Sequence, residues 1–140
     1  MTGLVVCVAV LAAASVYGVL HKRRSGRVRV RGRDEGKRLG AADLGELGGE
    51  LGRRATLVQF SSAFCAPCRA TRRVLDEVAG MVPGVTHVEI DAEAHLDLVR
   101  ELGILKTPTV LVLDADGRVV RRATGQPRRA DVIAALGEAV

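Results

Sequence analysis

Aromatic side chains are scarce in this sequence, which contains no tryptophan, one tyrosine and two phenylalanines. Apolar residues still make up 48% of its 140 residues, enough for the core of one compact domain plus an appendage. That core must therefore be built from Val, Leu, Ile and Ala. The scarcity also counts against nucleic-acid binding, because the basic part of the chain lacks the interleaved aromatic side chains on which bases stack.

Cysteines are few as well, and three of them cannot form the framework of a disulfide-rich secreted domain. Structural zinc needs four ligands, yet the chain has a single C-x-x-C pair, and His87 and His95 lack the paired spacing of a zinc finger. We therefore expect neither a metal nor a cofactor. Cys7 stands alone in an apolar run, where it serves as a small apolar side chain. Cys65 and Cys68 are then either a reactive pair or inert structural cysteines.

Charge is absent from the first part of the chain, where residues 3–20 form an apolar stretch of 18 residues. As a helix this stretch would extend about 27 Å, close to the thickness of a bilayer core. A cleaved signal peptide would begin with basic residues, and none precedes this stretch. The pattern therefore predicts an uncleaved transmembrane anchor over residues 3–20.

A basic segment follows the apolar stretch directly. Residues 22–38 contain nine Lys and Arg against two acidic residues, whereas residues 39–140 carry 12 basic and 14 acidic residues. Because Lys and Arg that flank a span usually remain on the cytoplasmic side, the C-terminal part is predicted to be cytoplasmic. Residues 21–38 are expected to be a juxtamembrane linker, which could also lie on anionic membrane lipid. Arginine and valine alternate over residues 27–31, and this pattern fits a short edge strand as well as it fits a linker.

From about Leu39 onward, helix and strand patterns alternate. Runs rich in β-branched residues predict strands over 56–61, 85–90, 109–113 and 118–124, the last two joined as a hairpin. Apolar residues spaced by three and four predict helices near 44–51, from 65 to 82, over 92–102 and over 129–140. The residues expected to face the core on the last three helices are Val74, Leu75, Val78, Met81, Val82, Leu96, Val99, Leu102, Val132, Ile133 and Leu136. Strand–helix–strand units imply parallel pairing, so residues 39–140 are predicted to form one three-layer α/β domain.

The cysteine pair, Cys65-Ala66-Pro67-Cys68, follows a predicted strand and opens a predicted helix. A cysteine at a helix N-terminus faces free backbone N–H groups and the positive end of the helix dipole, and both stabilise a thiolate. Two intervening residues bring the second sulfur within one helical turn, where it can resolve a mixed disulfide. A proline is tolerated in a first turn. Three positive charges that follow on the helix favour the thiolate further: Arg69, Arg72 and Arg73.

Three stretches of the chain resemble the thioredoxin family: VQFSSAFCAPCR, then VEID, then KTPTVLVLDADGRVVRRATG. The resemblance runs from about Leu39 to Val140, in the family's order and at similar spacing. It implies a thioredoxin fold, in which a central mixed β-sheet is flanked by helices and the dithiol opens the second helix of the domain. The fold class expected for the chain is thus an α/β thioredoxin fold preceded by one transmembrane helix.

The resemblance also implies roles for individual residues. Cys65 corresponds to the family's exposed nucleophile and Cys68 to its buried resolving cysteine. Pro108 corresponds to the cis-proline that packs against the disulfide, although a trans proline at a strand start is the simpler interpretation of that residue alone. Thr107 corresponds to the residue whose backbone pairs with bound peptide, and Gly125 to a glycine in a substrate-facing loop.

Several positions at this site depart from the family. Phe64 replaces the usual tryptophan and can shield the site, and Ala66 replaces the usual glycine, whereas Pro67 is retained. Gln59 stands where thioredoxins carry a buried acid thought to accept a proton from the resolving thiol, and His87 stands where a lysine commonly pairs with that acid. An amide cannot accept this proton, so deprotonation of the resolving thiol is expected to depend on water or on His87. Turnover would then be slower, or depend differently on pH, than in a general thioredoxin.

Together these features predict a membrane-anchored thiol–disulfide oxidoreductase, single-pass at the cell membrane, with its domain in the cytoplasm. Because the cytoplasm keeps thiols reduced, reduction of protein disulfides is the expected direction. The expected partners are protein disulfides, membrane lipid and a thiol reductant or thioredoxin-reductase-like donor, and not nucleic acid. Two other interpretations stay open: a non-catalytic thioredoxin-like adaptor that docks a membrane partner, and an extracytoplasmic thiol reductase of the cytochrome-maturation type.

Overall fold

A computed structural model of the chain describes residues 1–24, 28–29 and 36–140. In chain order the elements are α1 (Thr2–Arg24), β1 (Val28–Arg29), α2 (Ala41–Glu46), β2 (Ala55–Ser61), α3 (Ala66–Met81), β3 (Val85–Asp91), α4 (Leu96–Leu102), β4 (Thr109–Asp114), β5 (Val119–Thr124) and α5 (Arg129–Ala139). The alternation of helices and strands after Leu39 confirms the predicted α/β class.

The first helix, α1, covers the whole uncharged stretch and continues into the basic residues after it. Its segment Thr2–Lys22 is long and apolar enough to cross a membrane, and its apolar part is not buried against the rest of the protein. A signal sequence near the N-terminus would pass the same test of length and composition. The predicted helix is therefore confirmed, whereas its role as a membrane anchor stays a prediction.

A five-stranded sheet in the order β1-β5-β4-β2-β3 forms the centre of the domain. β2 and β3 are parallel, as the helical crossover between them requires, and the other neighbours are antiparallel. The predicted mixed sheet is thus confirmed. Val28 and Arg29 pair with Ala123 and Arg122, so the basic segment contributes a short edge strand at these two residues. The rest of the 27–31 alternation lies outside the described residues.

Helices cover both faces of the sheet, because β2 and β4 alternate their buried side chains between two cores. The core on the side of α2 and α4 contains Leu39, Leu44, Val58, Phe60, Val88, Ile90, Leu102, Ile104, Leu111, Leu113 and Val119. The core on the side of α3 and α5 contains Ala55, Leu57, Leu75, Val78, Val85, Val110, Val112, Ala123, Val132, Ala135 and Leu136. Phe60 is the one aromatic side chain in these two sets, in keeping with the predicted aliphatic core.

The helix predicted over residues 92–102 begins later, at Leu96. β3 continues to Asp91, whose side chain accepts a hydrogen bond from the backbone N–H of Glu93 at 2.9 Å. The backbone N–H of Ala92 also bonds to the carbonyl of Ser61 at 2.8 Å. These bonds form a turn between strand and helix, and the prediction of an earlier helix start was wrong for that reason.

Three residues predicted to face the core are substantially exposed: Leu96 at 55%, Met81 at 52% and Ile133 at 44%. Leu96 is the first residue of α4, and Met81 is the last residue of α3. Ile133 follows the buried Val132, and consecutive helical residues point about 100° apart. The predicted core positions were therefore wrong at helix ends and edges.

Arg122 is a buried charged residue that the sequence patterns do not indicate, with 5% of its surface exposed. Its guanidinium donates hydrogen bonds to the carbonyls of Leu102 and Gly103. These carbonyls end α4, where Gly103 adopts a left-handed conformation with φ of 66°. A cation at this end of a helix satisfies free carbonyls and complements the helix dipole. Arg122 thereby links β5 to α4.

Gly117 lies in the β4–β5 hairpin turn, with φ of 83°. Its carbonyl accepts a hydrogen bond from the backbone N–H of Leu39 at 2.8 Å, and a Cβ here would lie only 2.2 Å from the Leu39 carbonyl oxygen. The start of the domain therefore packs against the hairpin so closely that only glycine fits.

Replacing Gly117 by alanine is expected to destabilise the fold far more than the same change at Gly48. Both residues have φ near 80°, so both variants carry backbone strain of about 1 kcal/mol. At Gly48 nothing lies within 4 Å of the added Cβ, whereas at Gly117 the backbone itself must move. We expect Gly117→Ala to cost about 3 kcal/mol in chemical unfolding of the full chain in detergent micelles. Equal losses of unfolding free energy in Gly117→Ala and Gly48→Ala would contradict the close packing of Gly117 against Leu39.

Candidate active site

The two cysteines lie where β2 ends and α3 begins. Cys65 is the residue before the first turn of α3, and its sulfur accepts a hydrogen bond from the backbone N–H of Cys68 at 3.2 Å. The two sulfurs form a disulfide with an S–S distance of 2.06 Å. Cys68 is buried, with 2% of its surface exposed, whereas Cys65 is partly exposed. Cys65 is thus the more accessible member of the pair.

The loop before β4 lies beside this pair. The peptide bond between Thr107 and Pro108 is cis, as the resemblance implies. The Thr107 and Ser62 hydroxyls are 2.7 Å apart and hydrogen-bonded, which joins this loop to the loop that precedes Cys65. Gly125, with φ of 89°, donates its backbone N–H to the carbonyl of Pro108 at 2.8 Å. The structure therefore brings together three loops whose residues the sequence indicated separately.

A pocket of about 380 Å³ opens beside the disulfide. It is lined by Ser62, Phe64, Cys65, Cys68, Arg69 and Arg72. Phe64 is fully exposed and has a left-handed backbone, with φ of 57°, so its ring lies in solvent and does not cover the cysteines. Shielding of the site by Phe64, which the sequence suggests, is not seen in this arrangement. Ala66 and Pro67 are exposed in the first turn of α3.

Gln59 is fully buried on β2 and faces α3. Its amide nitrogen donates to the backbone carbonyl of Cys68 at 2.8 Å and to the hydroxyl of Ser61 at 3.0 Å. A carbonyl oxygen only accepts, so the orientation of the amide follows from the bond to Cys68. The amide oxygen of Gln59 therefore faces the other way, toward His87, whose Nε2 lies 3.1 Å from it.

His87 lies on β3 between two hydrogen-bond acceptors. Its Nε2 donates to the amide oxygen of Gln59, and its Nδ1 lies 2.6 Å from a carboxylate oxygen of Asp76. A carboxylate accepts and does not donate, so each ring nitrogen of His87 faces a hydrogen-bond acceptor. The His87 side chain is 7% exposed, whereas that of Asp76 is 62% exposed. The chain Asp76–His87–Gln59–Cys68 thus runs from the surface of α3 to the backbone beneath the disulfide.

A second branch of this network leads to Arg72. The Ser61 hydroxyl donates to Glu89 at 3.3 Å, and Glu89 accepts from Nε and Nη2 of Arg72 at 2.8 and 2.6 Å. Hydrogen bonding to Glu89, followed by the attraction of its charge, raises the pKa of the Arg72 guanidinium. β3 is therefore tied to α3 at both His87 and Glu89.

Asp76, Ser61 and Glu89 were not among the residues indicated by the sequence. Asp76 precedes His87 by 11 residues and lies on another element, so no local spacing signals their contact. The only sequence signal was indirect: a buried amide at Gln59 needs partners for both its oxygen and its nitrogen. The part of the chain that the structure describes contains no group of three or more His, Cys, Asp or Glu suited to a metal ion.

A larger pocket, of about 560 Å³, lies between α2 and α4. Its lining includes Asp43, Glu46, His95 and Asp97, and it contains none of the residues at the disulfide. The chemistry indicated by the sequence is therefore in the smaller pocket.

Residues 50–138 match the family model described as Thioredoxin. A thioredoxin from Chlamydia muridarum is 35% identical over 69 residues, which cover 49% of this chain and 67% of that protein. A thioredoxin from Mycolicibacterium smegmatis is 29% identical over 90 residues, covering 62% of this chain and 80% of that protein. The crystal structure of thioredoxin f from spinach chloroplast is similar with a TM-score of 0.55 and 25% identity, covering 63% of this chain and 78% of that one.

Replacing Asp76 by asparagine is expected to weaken the link between His87 and α3. The variant keeps the shape of the side chain but removes the negative charge from the acceptor of the His87 Nδ1 bond, so the free energy of unfolding should fall by about 1 kcal/mol. In ¹⁵N NMR the chemical shift of Nδ1 of His87 should change, because its hydrogen-bond partner is no longer a carboxylate. Glu77→Gln is the matched control, because Glu77 is the next residue of α3 and pairs instead with Arg129 at the surface. Unchanged His87 signals in Asp76→Asn would contradict the assigned arrangement.

Proposed function

The chain belongs to the thioredoxin family and is a thiol–disulfide oxidoreductase, and from that premise we propose that it reduces protein disulfides at the cytoplasmic face of a membrane. The observation that carries the proposal is the asymmetry of the pair. Cys65 is accessible at the N-terminus of α3, and Cys68 is buried behind it. An exposed nucleophile with a buried resolving thiol suits attack on a disulfide held by another protein.

In the proposed reaction the Cys65 thiolate of the reduced protein attacks one sulfur of a substrate disulfide. A bond forms between Cys65 and that sulfur, and the other substrate sulfur leaves as a thiolate and takes a proton from water. The Cys68 thiolate then attacks the sulfur of Cys65, closes the internal disulfide and releases the second substrate thiol, which is protonated in turn. Two electrons pass to the substrate, and a dithiol donor of the thioredoxin-reductase class, or a small thiol, restores the protein.

Thr107, Pro108 and Gly125 are proposed to bind the substrate backbone beside Cys65. The hydrogen bonds that join their loops to each other and to Ser62 support this role, since they form one continuous edge next to the exposed sulfur. Extended backbone bound at such an edge would present its own cysteine to the nucleophile. Phe64, exposed beside the pocket, would contact apolar side chains of the substrate.

Gln59 and His87 are proposed to support the site by position and not by direct proton transfer. Gln59 bonds to the backbone carbonyl of Cys68, and His87 reaches Cys68 only through Gln59. The proton of the resolving thiol would then pass to water, since Cys68 lines the open pocket. This route supports the expectation of a turnover that depends differently on pH than in a thioredoxin with a buried acid at this position.

The proposed division of the chain is an anchor over residues 3–20, a basic linker over 21–38 that contacts membrane lipid, and a thioredoxin-like domain over 39–140. The helical, unburied apolar stretch supports the anchor, and the excess of Lys and Arg directly after it supports a cytoplasmic domain. A domain on that side would work in a compartment that keeps thiols reduced.

Serine variants of the two cysteines should separate the proposed steps. Cys68→Ser lacks the resolving thiol and should accumulate a mixed disulfide with an oxidised protein substrate, whereas Cys65→Ser should trap nothing and lose activity at least a hundredfold. Trapping can be read by non-reducing mass analysis, with Cys7→Ser as the background so that only the pair reacts. Normal biological activity of the Cys65→Ser variant would instead favour a non-catalytic thioredoxin-like adaptor.

The reduction potential of the Cys65–Cys68 pair reports on the direction of the reaction. A value of about −270 mV would fit a reductase, whereas a value of about −120 mV would indicate an oxidant.

Trypsin should leave the domain intact in unbroken cells and release it only after permeabilisation. The nine Lys and Arg in residues 22–38 provide cleavage sites between the anchor and the domain, so cleavage reports on which side this segment lies. The release is measured by immunoblot of the full chain with a C-terminal tag. Cleavage in unbroken cells would contradict the cytoplasmic orientation and favour an extracytoplasmic thiol reductase.

A further inference from the structure

Two guanidinium groups line the same pocket as the exposed sulfur of Cys65. Arg69 and Arg72 are three residues apart on α3, so their side chains leave the same face of the helix. The described residues that line this pocket include no Asp or Glu. A group that enters the pocket beside Cys65 therefore meets positive charge on one side.

Arg72 is held in a defined position by Glu89. Its Nε and Nη2 donate to the two carboxylate oxygens of Glu89, which also accepts from the hydroxyl of Ser61. Nη1 takes no part in this pair, so its N–H groups can still donate to a second acceptor. The bond to Glu89 thus orients the guanidinium and leaves part of it available.

The side chain of Arg69 is exposed and has no hydrogen bond or ion pair with any residue in the described part of the chain. Its five N–H donors can all be offered to a ligand. Glu89 already balances the charge of Arg72, so the unpaired positive charge at the pocket is that of Arg69, and an anion beside Cys65 would be attracted chiefly to it.

On the basis of the proposed function, we infer that this protein prefers disulfides flanked by an acidic residue, whose carboxylate is held by Arg69 and Arg72. The attacked sulfur must reach the sulfur of Cys65, which lines the pocket, so the residue next to the substrate cysteine reaches the two guanidinium groups. A carboxylate has the planar shape and charge that guanidinium groups bind. Thr107, Pro108 and Gly125 would bind the backbone of the same substrate, while the pocket selects its charge.

The inference is tested with three disulfide peptides that are identical except for Glu, Gln or Lys next to the cysteine. The full chain in detergent micelles, reduced beforehand, should reduce the Glu peptide with a second-order rate constant about 3- to 10-fold above that for the Gln peptide, and the Lys peptide more slowly still. Raising the salt concentration from 0.05 to 0.5 M should shrink these ratios, because the charges are near the surface.

Arg69→Gln should bring the Glu-to-Gln ratio close to one, and Arg69→Glu should reverse the preference in favour of the Lys peptide. The ratio between peptides is the readout because a change in thiolate reactivity alters all three rates alike. Arg73→Gln is the matched control, because Arg73 is exposed on the same helix but does not line the pocket. The Glu-to-Gln ratio of this variant should equal that of the unchanged protein.

Equal rates for the three peptides would overturn the inference and leave the proposed reduction of disulfides intact. A loss of preference in Arg73→Gln as large as in Arg69→Gln would also overturn it, since the general charge of α3 would then be responsible. Failure to reduce any of the peptides, or any protein disulfide, would instead count against the proposed function itself.

Discussion

The hydrogen bonds of one buried amide join the central strand to the redox helix. Gln59 is fully buried on β2, so every polar atom it carries must find a partner inside the protein. Its nitrogen binds the carbonyl of Cys68, and its oxygen binds His87. A buried polar group left without a partner would cost about 1–3 kcal/mol, so this geometry positions the first turn of α3 relative to the sheet.

The same face of the sheet changes from apolar to polar along its length. Leu57 packs in the core under α3 and α5, and two residues further on Gln59 begins a polar layer that includes Ser61 and reaches Glu89. The transition occurs where the strand approaches the cysteines. The rigid apolar part supports α3, whereas the polar part orients the groups around its N-terminus, which is where the positive end of the helix dipole and the arginines lie.

Sequence patterns predicted the strands and the long helices well because each buries one regular face. They were less reliable at helix ends, as at Met81 and Leu96, where the apolar spacing continues but the side chain is exposed. The turn at Asp91 was missed because it depends on the Asp91 side chain, which accepts a hydrogen bond from the backbone N–H of Glu93. Of the candidate site, the cysteines, Thr107, Pro108 and Gly125 were predicted from their motifs, whereas Asp76, Ser61 and Glu89 had no motif.

The sequence by itself determined the chemistry: a dithiol at the start of a helix, an apolar stretch of membrane-spanning length and a basic segment after it. These features are local, and a local pattern is readable because its physical cause lies within a few residues. The tertiary structure alone decided what surrounds the dithiol. It placed Asp76 against His87, turned the Gln59 amide toward Cys68 and set Arg69 and Arg72 beside Cys65 in one pocket. Most of these contacts join residues on different elements, so they exist only once the sheet and its helices have packed.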